Sequence, residues 1–256
     1  MLDRNKGNNR PIGFNRVPTM IPGFDELCEG GLIRNRSYLI SGNAGAGKTI
    51  FGIQYIYNGI TKCGENGIYV ATEETPERIR ETVKQFGWDL KALEDEGKLG
   101  ILDACSTKIG ISSDEKYVDV RPFDMRSLLD SMIAMQEDLD AKRAFVDGTT
   151  SIGFNIQDPP KIRVELLKLC TTLEVLGLTS IMTCEIVDDE PAGRFGVEAF
   201  LTEGTILMHY IRKNNVRTRS IEIFKMRGTK HSQNIHPYDI SRSGITIHPH
   251  EEVYSG

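Results

Sequence analysis

Cysteine is scarce in this sequence and tryptophan nearly absent, at five and one in 256 residues. The five thiols, Cys28, Cys63, Cys105, Cys170 and Cys184, are odd in number and widely spaced, with no C-x-x-C pair and no nearby histidine. That excludes a disulfide-stapled scaffold and a zinc ribbon, and it predicts buried thiols in a reducing compartment. No stretch approaches the roughly 18 uncharged apolar residues of a membrane span. The first residues, Met1-Leu2-Asp3-Arg4-Asn5-Lys6, are polar where a signal peptide would be apolar. The expectation is a cytosolic (cytoplasmic) protein. Positive charge is not in excess either: 31 Lys and Arg against 36 Asp and Glu leave a formal charge of −5. This argues against a chain built to coat nucleic acid or an anionic membrane.

What is present is an ordinary globular composition, 39% hydrophobic and 26% charged, with room for one large α/β domain or two small ones. There is no internal repeat and no low-complexity tract. Residues 1–16 read as a loose lead-in, 17–250 as a single domain and 251–256 as a tail. Ser37 to Ser41 predicts a strand, followed by a glycine-rich turn and a helix carrying Ile50, Ile53, Tyr57 and Ile60. Ile68 to Ala71 is strand-like, and Thr75-Pro76-Glu77 supplies an N-cap, a proline and an acid for a helix bearing Ile79, Val83 and Phe86. A strand at 101–104, a helix from Phe123 to Leu139, a strand at 144–147, a helix from Ile162 to Leu176 and a strand at 179–183 continue the alternation. Alternating strands and helices imply right-handed crossovers and a mostly parallel sheet covered on both faces. Thr205 to Ile211 and Arg219 to Phe224, around Asn214-Asn215, predict an antiparallel hairpin, and Gly244 to Ile247 a further strand. The Met125, Met132 and Met135 stripe reads as core, and His248-Pro249-His250 as an exposed tail.

The stretch Gly42-Asn43-Ala44-Gly45-Ala46-Gly47-Lys48-Thr49 fits G-x-x-x-x-G-K-[ST], placed between a predicted strand and a predicted helix. Glycines let backbone N–H groups turn inward around phosphate oxygens, and the helix that begins toward Ile50 presents its positive end to them. Lys48 can reach the β- and γ-phosphates, and the Thr49 hydroxyl is a hard oxygen ligand suited to Mg²⁺. A metal-orienting acid is needed at the end of another strand, and Asp147 is the candidate. Glu73-Glu74 follow the second strand, where ligands of parallel sheets gather. They serve equally well as a carboxylate that polarises an attacking water or as charges for the positive end of the next helix.

Several motifs join these: Thr19 to Asp25, Gly30-Gly31-Leu32, the glycine loop, Glu73-Glu74-Thr75-Pro76, Phe86-Gly87-Trp88-Asp89-Leu90, and Lys225-Met226-Arg227-Gly228-Thr229-Lys230-His231. Together they resemble a KaiC-family domain of the wider RecA/RadA group of ATPases, over nearly the whole chain. The resemblance implies a RecA-like α/β P-loop NTPase fold, a mostly parallel central sheet flanked by helices with a C-terminal antiparallel extension. It implies that Glu73 and Glu74 act at the attacking water. It also implies that the K-x-R-x-x-x-H residues Lys225, Arg227 and His231, with Met226 and Thr229 between them, reach a neighbouring subunit's ATP. Gln85 and the pair Ser241-Arg242 fall where the family contacts the purine edge, although their residue types differ from the family's. Clock KaiC carries two such domains in tandem and this sequence one, so a circadian role is not expected to carry over.

The resulting expectation is an Mg²⁺-dependent ATPase assembled as a homo-oligomeric ring, a hexamer, with ATP at each subunit boundary and a regulatory protein as a further partner. Two alternatives stand beside it: an autokinase or protein phosphotransferase of KaiC type, and a DNA-recombination accessory like the RadA paralogues. Against DNA, the loops 151–161 and 186–198 hold Asp158, Asp188, Asp189 and Glu190 against only Lys161 and Arg194. The cations Arg212, Lys213, Arg217 and Arg219 near the hairpin read as edge charges that prevent aggregation.

Overall fold

The computed structural model describes residues 14–121, 124–153, 156, 158–186, 198–213 and 215–251. In chain order its elements are β1 (Arg16–Val17), β2 (Leu32–Ile33), β3 (Ser37–Gly42), α1 (Lys48–Cys63), β4 (Gly67–Ala71), α2 (Pro76–Lys84), α3 (Leu90–Asp95) and β5 (Leu99–Asp103). They continue with β6 (Tyr117–Val118), α4 (Met125–Leu139), β7 (Arg143–Asp147), α5 (Thr149–Gly153), α6 (Pro159–Val175), β8 (Thr179–Glu185) and α7 (Glu198–Leu201). The chain finishes with β9 (Gly204–Lys213), β10 (Val216–Met226), β11 (His236–Ser241) and β12 (Gly244–Ile247).

Among the described residues ten strands form one sheet in the order β12-β11-β10-β9-β3-β8-β7-β4-β5-β6, and β1 pairs separately with β2. The pairings from β9 to β6 are parallel, while β10, β11 and β12 add an antiparallel extension at one edge. The central strands are apolar on both faces because each face is covered. Tyr69 and Ala71 of β4 and Phe145 of β7 join one core cluster with α1 residues Phe51, Tyr55 and Ile56. Ile68, Val70, Ala144 and Val146 join the other, with Met132 and Met135 of α4 and Leu169 and Leu173 of α6. The methionine stripe is therefore core.

Two glycines let α1 lie close against β7. A Cβ on Gly52 would fall 2.0 Å from the Phe145 ring, and one on Gly59 would fall 2.4 Å from Arg143 Cδ. Arg143 is fully buried in the slot. Its Nε donates to Glu65 Oε2 at 2.8 Å, and its other nitrogens donate to the carbonyls of Tyr55 and Pro18. Arg34 binds the second oxygen of Glu65 at 2.6 Å.

The structure corrects the sequence reading in several places. Thr75 stands at the N-cap of α2 in extended backbone but makes no side-chain cap bond, and Phe86 lies beyond the end of that helix. Helix α4 begins at Met125, capped by Asp124, whose carboxylate accepts from the Arg126 N–H; Phe123 lies outside the described residues. Strand β11 was not expected, because Pro237 interrupts a run with few apolar residues. Cys63 is half-buried, whereas the other four thiols are buried. At the end of the expected lead-in, Arg16 is a strand residue donating to the Cys28 and Gly31 carbonyls. No helix among the described residues is long and apolar enough to cross a membrane.

Candidate functional site

The glycine loop joins the end of β3, in the middle of the ten-stranded sheet, to the start of α1. Gly45 and Gly47 have φ of 81° and 95°, a region open to glycine at little cost. Helix α1 starts without a side-chain cap, so the N–H groups of its first turn are left to whatever the loop holds. The Lys48 ammonium donates to the carbonyls of Gly42 at 2.8 Å and Asn43 at 3.3 Å. Asn43 Oδ1 accepts from the Tyr210 N–H of β9, and Ala46 is wholly buried.

A cleft of about 870 Å³ opens over this loop. Its wall brings Ala44, Gly45, Gly47, Lys48, Thr49 and Ile50 together with Glu73, Glu74 and Asp147. The expected purine contacts Gln85, Ser241 and Arg242 line the same cleft, beside Phe86 and Ile240. Phe86 packs on Trp88, which stacks on Tyr57 of α1, so this wall is braced by an aromatic ladder.

Asp147 ends β7, with β8 standing between β7 and β3, and is buried. Its Oδ1 accepts from the Thr183 hydroxyl at 2.7 Å and its Oδ2 from the Tyr69 phenol at 3.1 Å; Thr49 lies beside it on the cleft wall. Burial pushes its carboxyl up, against the pull of the nearby Thr183, Thr49 and Tyr69 hydroxyls and of Lys48. The donors gathered here are a hydroxyl and carboxylates, hard oxygens that suit Mg²⁺. No cluster of three or more His, Cys, Asp and Glu fit to hold a metal occurs among the described residues. The set matches a cation shared with a nucleotide's phosphates.

The two glutamates part company. Glu73 is exposed at the cleft mouth, yet the surrounding protein thins the water there and pushes its carboxyl up, with Asp147 and Glu185 adding to the effect. Glu74 also lines the cleft and faces Arg78 of α2 at 3.7 Å, one turn on.

Lys225, Met226, Arg227, Thr229 and His231 are not brought to this cleft in the single chain. Arg227 N–H binds the Glu203 carbonyl, and Glu203 N–H binds that of Ser37, so the segment is level with the start of β3. At about 3.3 Å per residue, the glycine loop lies about 16 Å farther along that strand. Lys225 donates to the Ala199 carbonyl, and Met226 is buried. Thr229 donates to Glu29 Oε2 and accepts from Arg16, and His231 Nδ1 lies 2.9 Å from the Ser232 carbonyl.

Arg219 was misread from the sequence. It lines the cleft, stacks over the Tyr210 ring at 4.2 Å and donates to the Gly45 carbonyl at 3.4 Å. The signal lay in strand order: β10 follows β9, and β9 runs beside β3, so one face of β10 leads to the glycine loop. Thr183 and Glu185 of β8 also line the cleft and had no sequence signature. Of the loops weighed for DNA binding, residues 154, 155, 157 and 187–197 lie outside the described residues. These include Asp188, Asp189, Glu190 and Arg194.

A phosphate-cradling loop on a central parallel strand, opposed by a buried acid two strands over, defines a RecA-like P-loop domain. The chain belongs to the KaiC family of ATPase domains: the family model described as "ATPase: KaiC" matches residues 17–252. The circadian clock oscillator protein KaiC of Synechococcus elongatus is 38% identical over 243 residues, covering 94% of this chain and 46% of that protein. KaiC of Parathermosynechococcus lividus is 39% identical over 239 residues, covering 93% and 43%. The chain thus spans less than half the length of these clock proteins. The crystal structure of a KaiC-like protein from the hyperthermophilic archaeon Pyrococcus horikoshii OT3 superposes with a TM-score of 0.80 at 34% identity, covering 93% of this chain and all of that one.

Proposed function

We propose that this protein is an Mg²⁺-dependent ATPase that works as a closed ring, a homohexamer, with each ATP held between two subunits. The observation that carries this reading is the division of the site. Lys48, Thr49, Asp147 and Glu73 lie at one end of the sheet, and the Lys225, Arg227 and His231 segment at the other. Two complementary halves on different faces of one chain suit a head-to-tail interface, which closes into a ring when its rotation permits.

In this reading the N–H groups of the loop and Lys48 hold the β- and γ-phosphates, and Thr49 with Asp147 would hold the metal, which neutralises phosphate charge when bound. Glu73 orients a water and accepts its proton as the water oxygen bonds the γ-phosphorus. The bond to the β–γ bridging oxygen breaks, and ADP leaves. Its raised affinity for a proton suits that role. Arg227 or Lys225 of the next subunit would offset the charge developing on the phosphoryl oxygens. Residues 17–250 act as one such domain.

Mixing inactive variants tests the division. Lys48→Ala and Arg227→Ala are each expected to abolish turnover. An equimolar mixture allowed to reassemble recovers about a quarter of wild-type activity, because about a quarter of head-to-tail boundaries combine an intact loop with an intact arginine. A mixture as inactive as its components would refute the shared site. Native mass spectrometry with and without Mg-ATP reads the subunit number.

A further inference from the structure

Asp147 is gripped from both flanking strands. β7 lies between β8 and β4, and each neighbour sends one hydroxyl to a different oxygen of the carboxylate: Thr183 to Oδ1 at 2.7 Å and Tyr69 to Oδ2 at 3.1 Å. The register explains the second bond. Ala71 is paired with Asp147, and Tyr69, two residues earlier on β4, points to the same face with its ring against Phe145 at 5.0 Å.

The last torsion of an aspartate is soft and roughly two-fold, so a carboxylate held at one oxygen can still swing. Donors on both oxygens, from opposite sides, fix its plane. The lone pairs left over then keep a fixed direction, and Asp147 shares the cleft wall with Thr49. Mg²⁺ demands near-octahedral geometry from its ligands and their waters, so the angle of this carboxylate matters as much as its presence. Tyr69 is itself buried and does not line the cleft. A phenylalanine would fill the same space against Phe145, and a buried hydroxyl is costly unless it has a partner. The Tyr69 hydroxyl has Asp147.

We propose that Tyr69 is a positioning residue for the metal: its phenol sets the orientation in which Asp147 meets the cation's ligand shell. This deepens the ATPase reading and rests on Asp147 serving the metal.

The test uses the full chain and Mn²⁺, read by electron paramagnetic resonance in the presence of a non-hydrolysable ATP analogue. Tyr69→Phe should lower Mn²⁺ affinity by about 10-fold, as loss of a residue supporting a metal ligand does. Analogue affinity in EDTA, read by calorimetry, should be unchanged. Para-aminophenylalanine at position 69, which keeps a donor in place, should restore the metal affinity. It also supplies the comparison if the phenylalanine variant folds poorly. In an Asp147→Asn background, Tyr69→Phe should have no further effect, since the two residues act as one unit.

Wild-type Mn²⁺ affinity in Tyr69→Phe, an equal loss in the Asp147→Asn background, a loss of metal-free analogue affinity by the same factor, or no rescue by the amino variant overturns the proposal. Wild-type protein that takes up the analogue with no dependence on Mn²⁺ also overturns it, leaving nucleotide binding intact. No analogue uptake by the wild type at all refutes the ATPase reading itself.

Discussion

Glu73 occupies the space a side chain on Gly148 would need: a Cβ there would stand 2.3 Å from Glu73 Oε1 and 2.7 Å from its Cγ. Gly148 follows Asp147 directly and has φ of 102°, so the turn leaving β7 and the glutamate leaving β4 are fitted to one another. Thr183 fixes that turn, accepting the Gly148 N–H at 2.8 Å.

Gly148→Ala is therefore expected to displace the Glu73 carboxylate without touching the glycine loop. A displacement on the order of 1 Å can cost about 10²-fold in turnover. Steady-state kinetics should show a kcat lowered by up to about that factor, with nucleotide affinity near wild type. An unchanged kcat would separate Glu73 from the chemistry.

The raised Glu73 carboxyl gives a pH signature. In the proposed mechanism Glu73 acts ionised, so the acid limb of the kcat profile should fall at a higher pH than an ordinary glutamate would give. The sign for stability is opposite. A carboxyl whose folded-state pKa is raised favours the folded protein at acid pH and loses that contribution as pH climbs through the raised value. Glu73→Gln should abolish hydrolysis and raise the melting temperature slightly at neutral pH, with the gain vanishing below the ordinary glutamate range.

Arg143 and Glu65 predict a change of stability. Arg143 is fully buried and held by Glu65 with two carbonyls. Neutralising Glu65 strands the buried guanidinium, and Glu65→Gln should cost about 3–5 kcal/mol in urea-melt stability. Arg143→Ala strands no charge, since Glu65 keeps Arg34 at 2.6 Å and is partly open to water; its cost, about 2–5 kcal/mol, comes from the emptied slot.

Gly52→Ala tests the approach of α1 to β7. The added methyl meets the Phe145 ring head-on, and overpacking of this kind costs about 1–3 kcal/mol. Combining it with Phe145→Leu should recover part of the loss, which a thermal melt of the double variant would show.

Much of this architecture could be read in the chain. The parallel strands 37–42, 67–71, 143–147 and 179–185 carry short apolar runs without a polar alternation, because both faces are covered, and the glycine loop lies where its motif demands. Asp147 was legible for the same reason, as a charge closing an apolar run. Arg219, Thr183 and Tyr69 were not. Their roles arise from which strand lies beside which, and periodicity along one segment carries no information about neighbours across a sheet. Thr75 shows the opposite limit: a favoured residue type in the right place can still leave its hydroxyl out of the helix cap.

The notches at Gly52 and Gly59 bear on how the domain transmits force. With Phe145 and Arg143 seated in them, the helix behind the glycine loop is keyed to the centre of the sheet like a bolt in its keeper. It cannot slide or roll without leaving both sockets. The loop's other contacts run sideways, from Asn43 and Gly45 to Tyr210 and Arg219 and from the Ala46 carbonyl to Tyr238, so any movement there is felt first by the antiparallel extension.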